Sequence, residues 1–249
     1  MNARPLAVCG VLALLAGTAC TYVHSAPLAQ PIGVLPAQPL VQPPIQGFVA
    51  NPPGSYALQR IQPAADGWVL EDNWLPRRLS NYTHGAVTLL SFVYTYCTDP
   101  IGCPLAYATM MDLEARVLAD SDLHGKVRFV SLSFDPGNDT PDAMRHYGAG
   151  RENSTALRWH FLTTYSTRFL LPILEGYGQD VEVEVDAKGS PTRTRTHMLK
   201  LFLIDPRGQV REIYSAAFLH PQVMFNDIKT LAVESAQPLA ADGRQPVRR

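Results

Sequence analysis

Residues 87–94 read VTLLSFVY, an almost unbroken apolar run, and this run narrows the fold of the chain more than any other feature. A strand with one wet face alternates polar and apolar residues. A continuous run has no wet face, so the strand must be covered on both sides. A second run of the same kind, VRFVSLSF, spans residues 127–134. Between the two, Pro104 opens a stretch carrying Leu105, Met110, Leu113, Val117 and Leu118 at helical intervals, ending near Ala119. Strand, helix and strand in this order predict parallel strands joined by a crossover helix.

The remainder extends the pattern. Asp139-Thr140-Pro141 predicts a helix start, with Thr140 as cap and Pro141 in the first turn. A short strand is expected over 159–162 and a helix over 167–177. Residues 181–185 alternate Val with Glu, as in a half-exposed strand or a hairpin arm. Residues 198–204 read as a strand, Asp205-Pro206-Arg207-Gly208 as a turn, 209–214 as the strand returning from it, and 221–234 as a final helix. The result is an α/β chain with a mixed central sheet flanked by helices and an added β-hairpin, which resembles the thioredoxin-like plan.

The N-terminus bears on location. Arg4 precedes an apolar stretch over residues 6–16, then Gly17, Thr18, Ala19 and Cys20. A charged start, a short hydrophobic stretch and a small-residue zone form an export signal, expected over residues 1–20. The stretch is shorter than the roughly 20 residues of a spanning helix. Cys20 after Gly-Thr-Ala resembles a bacterial lipoprotein cleavage site, although Gly17 stands where leucine is usual; plain cleavage near Ala19 or Ala26 is the other reading. Residues 21–55 carry Pro27, Pro31, Pro36, Pro39, Pro43, Pro44, Pro52 and Pro53, and are expected to form a disordered tether. The folded domain is assigned to 56–236, with its core starting near Trp68, and 237–249 to a disordered tail holding Arg244, Arg248 and Arg249. The expected location is the periplasmic side of the cytoplasmic membrane, tethered by lipid on Cys20 or by an N-terminal anchor, or else free in the periplasm. A formal net charge of -1 and an apolar fraction of 46% describe an ordinary globule with no nucleic-acid partner.

Export changes how the cysteines count. Cys9 falls inside the signal and Cys20 next to its end, which leaves Cys97 and Cys103 in the domain. In an oxidising compartment such a pair is open to three roles: structural disulfide, redox couple or metal site. Cys97 lies three residues past the first apolar run, and Cys103 immediately precedes Pro104. Strand carboxyl ends and helix amino ends meet at one edge of an α/β sheet, where sites are built. A sulfur at the helix cap is expected to favour the thiolate. The turn-rich loop Thr98-Asp99-Pro100-Ile101-Gly102 joins the two.

Three blocks in order, FVYTYCTDPIGCP, SFDPGNDTP and THMLKLFLIDPRGQV, resemble the SCO/SenC family of copper proteins over about residues 68–234. The resemblance implies a two-thiolate, one-imidazole copper site at Cys97, Cys103 and His197. It also implies delivery of copper to the copper A centre of cytochrome c oxidase or to another exported copper protein. The family usually places three residues between its cysteines, whereas this chain has five. Two thiolates and an imidazole suit copper, as Cu(I) or Cu(II), before hard cations. Zinc normally takes four ligands and would need a nearby carboxylate. The alternative function is an exported thiol–disulfide oxidoreductase using Cys97 and Cys103, against which the wide spacing argues. His84, His124, His146, His160 and His220 are expected to be solvated or hydrogen-bonded, Met110 and Met111 to fill the core, and Asp135 and Asp139 to serve turns and caps. Tyr94 and Tyr96 flank the cysteines. No phosphate-cradling glycine loop or catalytic carboxylate pair is present, and the chaperone reading requires no substrate turnover.

Overall fold

The computed structural model describes residues 49–97, 99, 102–151 and 154–236. The expected signal with Cys9 and Cys20, most of the tether and the tail from 237 lie outside the described residues. In chain order the elements begin with β1 (Gln62–Pro63), β2 (Trp68–Leu70), β3 (Pro76–Arg78), α1 (Ser80–Thr83) and β4 (Val87–Val93). There follow α2 (Cys103–Ala119), β5 (Val127–Ser133), α3 (Pro141–Gly148), β6 (Arg158–Leu162) and α4 (Thr167–Gly176). The chain closes with β7 (Val181–Val185), β8 (Pro191–His197), β9 (Lys200–Ile204), β10 (Gln209–Ser215) and α5 (Pro221–Ala236).

Six strands form one sheet in the order β1-β10-β9-β4-β5-β6. As the apolar runs require, β4 is buried at every position and pairs in parallel with β5, from Val87 opposite Val127 to Val93 opposite Ser133. β6 continues the parallel half, while β9, β10 and β1 add antiparallel strands on the other side of β4. This is the expected mixed sheet. The helix α2 packs against α5, and both meet β4. Trp159, Phe92, Phe129 and Phe202 are among the largest fully buried side chains. The indole of Trp159 donates to Ser131 Oγ at 3.0 Å, which in turn pairs with Ser91 Oγ at 3.0 Å, so these three polar groups of the core satisfy one another.

Two features differ from expectation. The tether, drawn to residue 55, meets the domain earlier. Asn51 accepts a hydrogen bond from Asn226 and Gly54 donates to Thr230 on α5, because that helix presents polar groups on the face the segment crosses. The second difference is β8, a strand where none was expected. Its sequence PTRTRTH alternates Thr and Arg without an apolar residue, so it carries no burial pattern to read. It exists through pairing with β7, from Val181 opposite His197 to Val185 opposite Pro191.

Candidate metal centre

The parallel strands β4 and β5 end at the same edge of the sheet, and the candidate site is built there. Beyond β4 the chain turns, with the Cys97 amide donating to the Tyr94 carbonyl at 3.3 Å. Cys103 is the first residue of α2, not its cap; Gly102 holds that position, and Pro104 follows inside the first turn. Both cysteines are free thiols. They share a small cleft walled by Tyr94, Tyr107 and Tyr147. Cys103 is only 1% exposed, whereas Cys97 is half-buried.

The thiolate expected at Cys103 is corrected by this burial. Loss of water pushes its thiol well above the ordinary range, and the adjacent Cys97 sulfur adds to the shift through its charge and hydrogen bond. The helix end does not offset the desolvation of a sulfur sunk this deep. A proton therefore stays on Cys103 at neutral pH unless a cation replaces it.

His197 reaches the same place from the far arm. It ends β8, and its Nε2 stands 3.9 Å from Cys103 Sγ. The other ring nitrogen, Nδ1, lies 3.3 Å from the Met198 carbonyl. A carbonyl only accepts, so Nδ1 carries the proton and Nε2 offers its lone pair towards the sulfur. Burial lowers the His197 pKa, with the Met198 carbonyl and the charge of Asp99 acting against it. The ring packs edge-on against Phe134, centroids 4.5 Å apart, which fixes its plane. Cys103 and His197 are thus in contact and Cys97 adjoins Cys103. Among the described residues, however, no three His, Cys, Asp or Glu side chains are already gathered as a metal cluster. The donor set fits copper: soft sulfur with a neutral imidazole, in an apolar, aromatic setting.

Two residues assigned only to turns and caps hold the arms of the site. Thr140 alone caps α3, accepting from Ala143 N at 3.2 Å. Asp139 instead accepts from the Thr95 amide at 3.1 Å, from the Thr95 hydroxyl at 2.5 Å and from Ser133 Oγ at 2.6 Å, pinning the segment that leads to Cys97. Asp135 accepts from Arg195 Nη2 at 2.7 Å, two residues before His197, while the Arg195 amide donates to Tyr94 OH at 3.4 Å. Arg195 escaped the sequence reading because β8 did. Tyr94 is buried beside Cys97, its hydroxyl pushed up to about 12 chiefly by desolvation. Tyr96 is 49% exposed under the guanidinium of Arg193.

The remaining candidates stand apart. His84, His124 and His146 lie on backbone carbonyls of Ser80, Leu118 and Asp142, and His160 on Glu71. His220 is half-buried just ahead of α5. Met110 fills the core, but Met111 faces outward.

A mixed sheet flanked by helices, with two thiols and an imidazole at one edge, defines a thioredoxin-like domain. The family model for SCO1/SenC matches residues 76–233, and the chain belongs to that family. A SCO1 protein homolog of Bacillus subtilis (strain 168) is 28% identical over 151 residues, 59% of this chain and 71% of the relative. The fold is shared with Bradyrhizobium japonicum ScoI, solved with copper bound, at a TM-score of 0.53 and 20% identity, covering 68% of this chain and 98% of that one. It is also shared with BsSco, described as having a disulfide switch and as a member of the Sco family of cytochrome c oxidase assembly proteins. That match has a TM-score of 0.53 and 22% identity, over 71% of this chain and 98% of that one.

Proposed function

We propose that this protein is a copper-binding metallochaperone that holds copper through Cys97, Cys103 and His197 and passes it on by ligand exchange. The observation that carries the reading is the approach of His197 Nε2 to Cys103 Sγ at 3.9 Å, with Nδ1 occupied by a carbonyl. Those two atoms come from residues 94 positions apart in the chain and offer one lone pair and one soft sulfur to the same point. The half-buried Cys97 supplies the second sulfur and the route by which an acceptor's ligand enters. Copper replaces the proton that burial retains on Cys103. Family membership supports the copper A centre of cytochrome c oxidase as recipient. The domain works outside the cytoplasm, tethered through Cys20 or an N-terminal anchor or else free in the periplasm, and among the described residues no helix is long and apolar enough to cross a membrane.

Copper titration of the full chain, reduced, tests the reading. Uptake of one copper per chain is expected, with affinity falling tenfold or more in each of Cys97→Ser, Cys103→Ser and His197→Ala. A His197→Ala variant binding as tightly as the parent contradicts it.

A second reading, thiol–disulfide exchange at the same pair, is favoured by the two free thiols sharing one cleft. Cys97 would be the attacking sulfur, because Cys103 is buried and held protonated. Reductase activity needing both cysteines but indifferent to His197 would select this reading.

A further inference from the structure

At the opposite edge of the sheet, roughly 20 Å away along β5 by strand rise, lies a second concavity that the copper reading does not use. It is an open pocket of about 390 Å³ to which the β2–β3 hairpin, α1, β5 and β6 all contribute. Arg128 and Arg158 are register partners on the parallel strands β5 and β6, so both guanidinium stems leave the same face of the sheet. Like charges placed side by side in this way repel, and the repulsion from Arg158 joins burial in lowering the Arg128 pKa. A third guanidinium, Arg77, enters from β3.

The negative charge nearby is already engaged. Glu71 accepts from the Tyr82 hydroxyl at 3.0 Å and contacts His160 Nδ1 at 2.5 Å. No ion pair among the described residues takes up Arg77, Arg128 or Arg158. Three guanidiniums thus line the pocket with one carboxylate, Glu71, and the charge of Asp72 reaches Tyr82 at its wall. Arg128 is also held rigid. Its Nη1 donates to the carbonyls of Asn81 at 3.3 Å, Tyr82 at 2.7 Å and His84 at 3.1 Å, which leaves its remaining N–H groups for the pocket.

Guanidinium forks from three separate elements, that of Arg128 already anchored on backbone carbonyls, outnumber the carboxylate of the pocket lining and match the oxygens of a tetrahedral anion. We propose that this pocket binds a phosphate group, through Arg77, Arg128 and Arg158. The volume exceeds what a bare phosphate fills, so a phosphate ester fits with part of its alcohol. The site is independent of the copper reading, since it shares no residue with the cysteine cleft.

Calorimetric titration of the full chain tests this, using inorganic phosphate, glycerol 3-phosphate and vesicles of phosphatidylglycerol beside vesicles of phosphatidylcholine. The same titrations are made on Arg77→Gln and Arg158→Gln, both exposed positions whose folding is checked by thermal melting. Saturable binding to at least one phosphate probe is expected, weakened tenfold or more in each variant and unchanged in His197→Ala. Binding of the soluble phosphates assigns a dissolved ligand. Binding confined to phosphatidylglycerol vesicles, and lost in the variants, assigns a lipid headgroup. Binding of no probe, or binding that both arginine variants retain, overturns the proposal.

Discussion

At the scale of single residues, two carboxylates four positions apart divide the work of holding the site. Asp139 grips Thr95, and with it the segment leading to Cys97. Asp135 grips Arg195, and with it the end of β8 that bears His197. Partners of this kind, one step removed from the ligands, typically govern about 10- to 100-fold of metal affinity. Asp135→Asn keeps the side chain's shape but loses its charge. Copper affinity is expected to fall about tenfold while the circular dichroism of the domain is unchanged, as a competition titration would read. An unaltered affinity would show that Arg195 does not position His197. Burial makes a second prediction. Alkylation of the metal-free chain at neutral pH should modify Cys97 well before Cys103, because only Cys97 has appreciable exposure. Peptide mass spectrometry distinguishes the two, and faster labelling of Cys103 would contradict the geometry. The positions of both cysteines were legible in sequence, since an apolar run ends before one and Pro104 follows the other. The protonation of Cys103 was not, because depth of burial is a property of the packed molecule.

At the scale of elements, legibility followed apolar content. β4 and β5 announce themselves as continuous runs, and the Asp205–Gly208 turn by its Pro and Gly. β8 is polar throughout and is specified only by its partner β7, which is why no strand was expected over 191–197 and His197 was placed just ahead of the strand at 198–204. The turn has a stricter requirement than its composition suggests. Gly208 has φ +76, and a β-carbon there would collide with the ring of His84. Gly208→Ala is expected to destabilise the domain by about 1–3 kcal/mol, from strain at positive φ and overpacking, measured by urea unfolding. A change near zero would mean that the turn relaxes freely.

The connection from β1 to α1 carries a pH dependence. Asp66 Oδ1 accepts from the amides of Gly67 at 2.8 Å and Ser80 at 2.9 Å, and Oδ2 pairs with Arg78. Burial raises the carboxyl, but the Ser80 amide and the Arg78 guanidinium outweigh it, so its pKa lies below the usual 3.8. A depressed folded pKa contributes stability that is whole above the unfolded value and lost as pH falls through the folded one. Asp66→Asn should therefore cost about 1 kcal/mol near neutrality, discounted for partial exposure, with the gap from the parent closing below about pH 4. A gap that is constant from neutral to strongly acidic pH would rule out the carboxylate as its source.

At the scale of the whole molecule, one buried arginine ties distant parts of the chain together. Arg211, 3% exposed on β10, donates to the carbonyls of Leu58 and Gln59 and pairs with Asp205 and with Glu234 of α5. It joins the entry segment, the turn and the last helix on one side chain. Sequence patterning could not reveal this, because the partners are backbone carbonyls far apart in the chain. The copper reading likewise depends on long-range closure, between the loop after β4 and the ribbon before β9. X-ray absorption at the copper edge of the loaded full chain tests that closure most directly. Two sulfur ligands and one imidazole nitrogen are predicted around copper, with the nitrogen signal disappearing in His197→Ala. A spectrum that is the same in parent and variant, or that shows fewer than two sulfurs, would contradict the account.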